Sequence, residues 1–252
     1  MIPYVFDIKR SSTVDGPGIR TAVFFKGCNL DCKWCHNPEG KSPEPELALF
    51  REKCIGCGVC GEVCEHSGNC ILCGECAESC PADARRLYGS RYTVDQLYEI
   101  ICADADYYRA TGGGVTFSGG ECMLYPEFIA ELAEKCAKSG ISVAVDTAGN
   151  VPWSAFEAVL PYTSLLLYDI KALDPSLHKK GTGVDNSLIL ENLERLLKAG
   201  REVIIRTPVI PGYNDGAELE RICEYCAERG LRHELLPYHA IGESKKNAII
   251  IK

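Results

Sequence analysis

The sequence predicts an α/β fold, a partial (β/α)6 barrel carrying a small cysteine-rich insert. Three observations support this. From Arg91 onward, apolar runs alternate with helical patterns, as parallel βα units require. Three runs, at 22–25, 164–170 and 203–205, are nearly continuous apolar stretches, as strands covered on both faces should be. Residues 51–85 differ in kind, with eight cysteines among few large apolar side chains. That stretch cannot bury a core of its own, so metal has to hold it. At 252 residues the chain can build one large core, or one core plus a small module. Six βα-type strands are too few for a closed eight-strand barrel. The expected domains are a discontinuous barrel, 1–50 and 86–252, and an insert, 51–85.

The elements follow in order. Residues 3–9 read as a first short strand. Gly16-Pro17-Gly18 is a turn signal that displays Asp15 on a loop, and Arg20 opens the next strand. A polar stretch with three prolines, 38–45, reads as a boundary. Thr93-Val94-Asp95-Gln96 is a capping box, and its helix should run to about Tyr108. Glycines 112–114 lead into a strand through Phe117. Pro126 starts a helix that Gly140 stops. A strand at 141–145, a short helix at 153–159 and a strand at 164–170 follow. A helix at 187–199, a strand at 202–209, a helix at 216–229 and a strand at 231–236 close the series.

The net charge of −8 argues against nucleic acid as a partner. No apolar run reaches transmembrane length, and the N-terminus is no signal peptide, so a cytoplasmic protein without a membrane partner is expected. The 16 cysteines then read as metal thiolates rather than disulfides. Eleven lie between Cys28 and Cys80, which points to metal centres in a reducing, oxygen-poor cell.

Cys28, Cys32 and Cys35 form a C-x3-C-x2-C loop just after the apolar run 21–25. A structural zinc loop or three core cysteines are the plain alternatives. Three thiols so close on a loop point to metal. On a cubane iron–sulfur cluster they would leave one iron without a protein ligand, able to bind a substrate. The insert holds Cys54-x2-Cys57-x2-Cys60-x3-Cys64 and Cys70-x2-Cys73-x2-Cys76-x3-Cys80-Pro81. Each half is a ferredoxin-like run whose fourth cysteine serves the other cluster. By that rule Cys54, Cys57, Cys60 and Cys80 hold one [4Fe–4S] cluster, and Cys70, Cys73, Cys76 and Cys64 the second. Two departures are that Glu65 stands where the first run would carry proline, and that only five residues separate Cys64 from Cys70.

Ser118-Gly119-Gly120-Glu121 lies at the carboxyl end of a strand, where α/β barrels place ligands. Two glycines let a ligand approach the backbone. Asp146-Thr147, Asp169-Ile170-Lys171, Arg206 and His239 end four later strands. Singly these read as caps, surface charges or core-edge hydrogen bonds; together they collect at one mouth with the Cys28 loop. Cys122 reads as a lining residue of that mouth. Cysteines 102, 136, 223 and 226 sit at apolar helical positions as small hydrophobes, and Cys223-x2-Cys226 matches a redox pair by spacing alone.

The Cys28 loop has the spacing of the radical S-adenosylmethionine (SAM) superfamily. With Asp15-Gly16-Pro17-Gly18-Ile19-Arg20, His36-Asn37-Pro38, residues 112–121, Asp146-Thr147, Asp169-Ile170-Lys171 and Leu236-Pro237-Tyr238-His239, the chain resembles the glycyl radical enzyme activating enzymes over nearly its whole length. The two-cluster insert is similar to that of activases serving dehydratases, decarboxylases and C–N or C–S lyases; pyruvate formate-lyase activase lacks it. The family usually continues some tens of residues beyond Lys245, whereas this chain closes at Lys252.

The resemblance implies three [4Fe–4S] clusters, with Cys28, Cys32 and Cys35 as the catalytic set. It implies SAM contacts at Trp34, His36, Gly119, Gly120, Glu121, Asp169, Ile170, Lys171, Arg206 and His239, and a monovalent cation near Asp146, Thr147 and Asp169. Asp15, Gly16, Pro17, Gly18 and Arg20 become candidates for recognising a partner's glycine loop. The expected activity is reductive cleavage of SAM to a 5′-deoxyadenosyl radical, which takes a hydrogen from a glycine Cα of the partner. A donor such as flavodoxin or ferredoxin and a monomeric state are expected. The rival readings are a radical SAM enzyme acting on a small molecule, and a ferredoxin-type electron carrier.

Overall fold

The computed structural model describes residues 1–66, 68–238, 245 and 248–251. In chain order the strands are β1 (Tyr4–Ser12), β2 (Arg20–Phe25), β3 (Glu46–Leu49), β4 (Arg85–Tyr88), β5 (Ser90–Arg91), β6 (Gly114–Gly119), β7 (Ser142–Thr147), β8 (Leu165–Asp169), β9 (Val203–Val209), β10 (Arg232–Pro237) and β11 (Ile249–Ile251). The helices are α1 (Val59–Glu62), α2 (Glu75–Glu78), α3 (Val94–Cys102), α4 (Ala105–Thr111), α5 (Pro126–Lys138), α6 (Trp153–Val159), α7 (Pro175–Thr182), α8 (Ser187–Lys198) and α9 (Ala217–Glu228).

One sheet runs β10-β9-β8-β7-β6-β2-β1-β5. Its six strands from β10 to β2 are parallel, and β1 folds back antiparallel on β2. These are the six expected βα strands, in an open arrangement. Strand parity divides the side chains. Val23, Phe25, Val115, Phe117, Val143, Val145, Leu166, Tyr168, Val203 and Ile205 join the main core with the helices. The alternate residues Ala144, Leu165, Leu167 and Ile204 form a second, inner cluster. Helix α5 shows the outer packing. Pro126 sits in its first turn, and Phe128, Ile129, Leu132, Ala133 and Cys136 make one buried stripe. Each of its large side chains contributes about 1.5–3 kcal/mol by leaving water.

Three differences from the expectation have physical causes. The helix from Thr93 breaks at Ala103–Asp104, because the Asp104 carboxylate accepts from Arg10 Nε (2.9 Å) and Thr21 Oγ1 (2.7 Å) instead of facing solvent. Helix α7 starts on an Asp174 cap, whose side chain accepts from Leu177 N, with Pro175 in the first turn. A small sheet β11-β3-β4 was not foreseen. Its antiparallel β3–β4 pair flanks residues 50–84 like a stem.

Within the insert, α1 and α2 are near repeats. Each follows a left-handed glycine, Gly58 (φ 81°) or Gly74 (φ 90°), and each carries the third cysteine of its run. Cys102 packs partly buried against the core, Cys136 and Cys226 are buried in it, and no disulfide joins any of the sixteen cysteines. Among the described residues no helix is long and apolar enough to cross a membrane.

Candidate functional site

A cavity of about 370 Å³ opens at the carboxyl ends of the parallel strands. It is lined by Cys28, Cys32 and Cys35, with Trp34 and His36 from the same loop, and by Gly119, Gly120, Asp146, Thr147, Asp169, Lys171 and Arg206. Asp15 reaches it from the other end of the barrel. His239 lies outside the described residues.

The cysteine loop is pinned on both sides. Gly27 N donates to Gly40 O (2.8 Å) and Cys28 N to Lys41 O (3.1 Å), closing its base. Asp31 N and Lys33 N donate to Thr182 O and Gly181 O at the end of α7. Burial pushes the Cys28 thiol up to about 12, and the Glu121 charge adds to it. Burial likewise raises Cys32, against the pull of Lys171. Bare thiolates are therefore disfavoured here, and a cationic metal centre would supply the missing compensation. Among the described residues no three His, Cys, Asp or Glu side chains sit close enough to hold a single metal ion. Three thiols round one cavity suit a multi-iron cluster better than a lone zinc.

The two glycines have a packing reason as well as a ligand reason. A Cβ on Gly120 would lie 2.2 Å from Gly27 O and 2.4 Å from Gly40 O, and one on Gly119 2.2 Å from Phe25 O. The end of β6 thus lies directly on the backbone that launches the cysteine loop. Glu121 and Ile170 do not line the cavity. The buried Glu121 carboxylate accepts from Thr147 Oγ1 (2.7 Å), Ala148 N (2.9 Å) and Met123 N (3.1 Å), bracing the ends of β6 and β7. Burial raises its pKa to about 7. Ile170 follows inward-facing Asp169 and so faces the outer core. Cys122 is also a core residue rather than a lining one; its thiol donates to Phe117 O and Asp146 O.

The charged floor is self-paired. Lys171 bonds Asp169. Ser118 Oγ donates to Asp146 Oδ2 (2.8 Å), and Arg206 Nη1 lies 3.8 Å from the same carboxylate. Burial, then Asp169, raises Asp146 above the usual carboxylate range. Burial works against the Lys171 ammonium, but Asp169 raises its pKa overall. Arg206 also faces Glu234 at 3.4 Å.

The β1–β2 turn plugs the barrel. Thr116 Oγ1 donates to Asp15 O (2.6 Å) and Arg206 Nη2 to Val14 O (2.5 Å). Gly18 (φ +72°) has room for no side chain, since a Cβ would meet Gly113 N at 2.5 Å. Arg20, 1% exposed, donates to Thr116 Oγ1, Val115 O, Ser142 O and Pro17 O. It props the turn from behind and does not reach the surface. Sequence reading missed Lys41 and Glu234, and named Ser118 only as part of the glycine stretch. Ser118 follows Thr116 by strand parity and was legible. Lys41 donates to Cys32 O (3.2 Å) through a tertiary contact that no spacing announces.

In the insert, Cys54, Cys57 and Cys73 are exposed, Cys60, Cys64, Cys70 and Cys80 half-buried, and Cys76 buried. Arg85 Nη1 donates to Cys76 Sγ (3.8 Å) and also interacts with Cys60, so the third cysteines of both runs face one guanidinium.

An open six-stranded parallel barrel with a three-thiol loop after its first parallel strand defines a class, and the chain belongs to the radical SAM superfamily, whose pattern matches residues 22–226. Within it, the chain is 39% identical to the (2S)-3-sulfopropanediol dehydratase activating enzyme of Klebsiella oxytoca, over 97% of this chain and 84% of that protein. It is 40% identical to the isethionate sulfite-lyase activating enzyme of Nitratidesulfovibrio vulgaris, over 95% of this chain and 85% of that protein. Streptococcus suis SuiB bound to precursor peptide SuiA shares the fold, with a TM-score of 0.56 and 15% identity, over 84% of this chain and 37% of that one.

Proposed function

We propose that the chain is a SAM-dependent activating enzyme that places a radical on a glycine Cα of a partner glycyl radical enzyme of the dehydratase, lyase or decarboxylase kind. The observation that carries this is the single cavity shared by the three thiols, the Gly119–Gly120 strand end and Asp15 of the plugging turn. Cys28, Cys32 and Cys35 are the residues to hold a [4Fe–4S] cluster. When bound, that cluster supplies the electron and the open iron that let SAM split to methionine and a 5′-deoxyadenosyl radical, the species that takes the glycine hydrogen.

The chain's own residues bind and orient. Trp34, His36, Gly119, Gly120 and Arg206 surround SAM, and His239 joins them in this reading. The Lys171–Asp169 pair offers one charge of each sign to its amino acid and ribose groups. Glu121 and Ile170 act from behind the wall. Asp146, Thr147 and Asp169 offer oxygens to a monovalent cation. Asp15, Gly16, Pro17 and Gly18 meet the partner's loop, held in shape by Arg20. The eight insert cysteines hold two further [4Fe–4S] clusters in this reading, which suits a protein electron donor such as flavodoxin or ferredoxin and a reducing cytoplasm; a monomer completes it.

The test is anaerobically reconstituted protein with SAM and dithionite. 5′-Deoxyadenosine should form, and a candidate partner should then show a glycyl radical doublet by electron paramagnetic resonance. No 5′-deoxyadenosine from iron-loaded protein would refute the reading; 5′-deoxyadenosine with radical transfer only to a small molecule would favour the small-molecule rival.

A further inference from the structure

We propose that Arg85 is a positioning residue that raises the reduction potentials of both clusters of the insert, one guanidinium serving two centres. The inference rests on the reading of the eight insert cysteines as ligands of two [4Fe–4S] clusters. Arg85 Nη1 donates to Cys76 Sγ (3.8 Å), and the same side chain interacts with Cys60. These are the third cysteines of the two runs. Whether Cys64 and Cys80 serve their own run or cross over, Cys60 and Cys76 fall to different clusters. A side chain that faces both sulfurs therefore faces both clusters. Arginine suits the place, because its planar fork stays charged and carries several N–H donors.

The arrangement is built into the fold. Arg85 opens β4 opposite Leu49 of β3. Just before it, Asp83 takes a left-handed backbone (φ 48°). Asp83 N donates to Cys80 O (3.2 Å) and Ala84 N to Cys80 Sγ (3.3 Å), so the chain entering β4 is tied to the last cysteine. Helix α2 packs on β4, and α1 packs on α2. A Cβ on Gly74 would lie 3.1 Å from Leu87 Cδ2, which shows how closely α2 starts on the strand. That stacking carries Cys76 and then Cys60 to the first residue of β4. Thiols that receive N–H donors are suited to act as anionic ligands. Arg86 is exposed and interacts with Tyr88, on the opposite face of the strand.

The direction of the effect follows from charge. Reduction by one electron adds one negative charge to a cluster and its thiolates, and no bond or proton moves. Net charge and hydrogen bonds to the sulfurs are among the quantities that set such a potential. A cation aimed at a ligand sulfur of each cluster favours the reduced form of both. Asp83, beside Cys80, acts the other way. Arg85 is half-buried, so solvent and salt screen it less than a fully exposed charge.

The test uses the full reconstituted chain carrying C32A, so that the insert holds the remaining iron, with R85Q, R85K or R86Q added singly. Iron should stay at about eight per chain in all three. A dithionite titration followed by electron paramagnetic resonance reads the midpoints. R85Q should shift the reduction equilibrium of each insert cluster about tenfold toward the oxidised form, a fall of about 59 mV in each midpoint. R85K keeps the charge and loses the fork, so it should fall in between. R86Q removes the same charge from the other face and should change each equilibrium by less than about twofold. Unchanged midpoints in R85Q and R85K, a shift confined to one cluster, or an equal shift in R86Q would overturn the proposal. Iron loss in R85Q beside wild-type midpoints in R85K would also overturn it, leaving Arg85 a structural residue. C32A protein that binds far less than about eight irons before Arg85 is changed would instead count against the two-cluster reading.

Discussion

The three-cysteine loop and the eight-cysteine insert carry the same side chain in opposite surroundings. Around the loop the barrel supplies everything: backbone bonds to Gly40, Lys41, Gly181 and Thr182, and a glycine pair pressed on the strand that launches it. From Arg51 to Asp83 only Gly74 and Cys76 are buried among the described residues, and two four-residue helices are the only helical segments longer than a single 3-10 turn. Where packing fixes the thiols, the scaffold can stand without metal and the metal does chemistry. Where packing is absent, a bound metal would have to be the scaffold.

The largest expected difference is chemical. Cys32→Ala should cut SAM cleavage under dithionite by at least about a thousandfold and lower iron from about twelve to about eight per chain. Cys73→Ala should lose a similar amount of iron yet keep dithionite-driven cleavage within about twofold. Iron analysis beside 5′-deoxyadenosine assay checks both; equal loss of cleavage would erase the distinction.

Packing comes next. Gly120→Ala forces a methyl against Gly27 O and Gly40 O, and should cost about 1–3 kcal/mol or more in urea unfolding. Loss of SAM affinity should accompany it.

Acid should weaken the barrel through one identified carboxylate. Arg10 holds the Asp104 carboxylate below its ordinary range, with Thr21 adding to this. That contribution is complete above the unfolded pKa and is lost as pH falls through the lower folded one. Wild-type melting temperature should therefore decline below about pH 4, whereas Asp104→Asn should start lower at neutral pH and decline less. Every carboxylate from Arg51 to Asp83 is exposed, so these carboxylates should contribute little to that slope.

The smallest effect is expected at Gly61 in α1, where an added Cβ meets nothing within 4 Å. Gly61→Ala should leave stability unchanged or raise it by up to about 1 kcal/mol. A marked loss would show that the insert is more tightly packed than the barrel comparison allows.

The barrel was legible because its signals are local. Apolar runs, the Thr93 capping box and the glycine stops announce six strands and most helices within short windows. The cysteine spacings were legible for the same reason. What stayed hidden is tertiary. β3 is four residues long and acquires its meaning from Arg85–Tyr88 and Ile249–Ile251. Asp104 breaks a helix for the sake of Arg10, far away in sequence. Cys122 and Ile170 were assigned by adjacency to motif residues, whereas strand and turn parity turns them to the outer core. Arg20 stood in a recognition motif, yet a charge at the start of an inward-facing strand position ends up buried behind the turn.

The pairing of β11 with β3 carries a consequence for synthesis. Ile251 meets Leu47 and Ile249 meets Leu49, so the edge of the insert's stem is completed by a segment made roughly 200 residues later, on the order of 10–40 s at ordinary translation rates. Until then β3 and β4 form a two-stranded ribbon, a unit of marginal stability in water. The nascent chain therefore exposes its eight insert thiols on an unfinished stem while the barrel is still emerging. Closure of that stem therefore waits on a segment far along the chain.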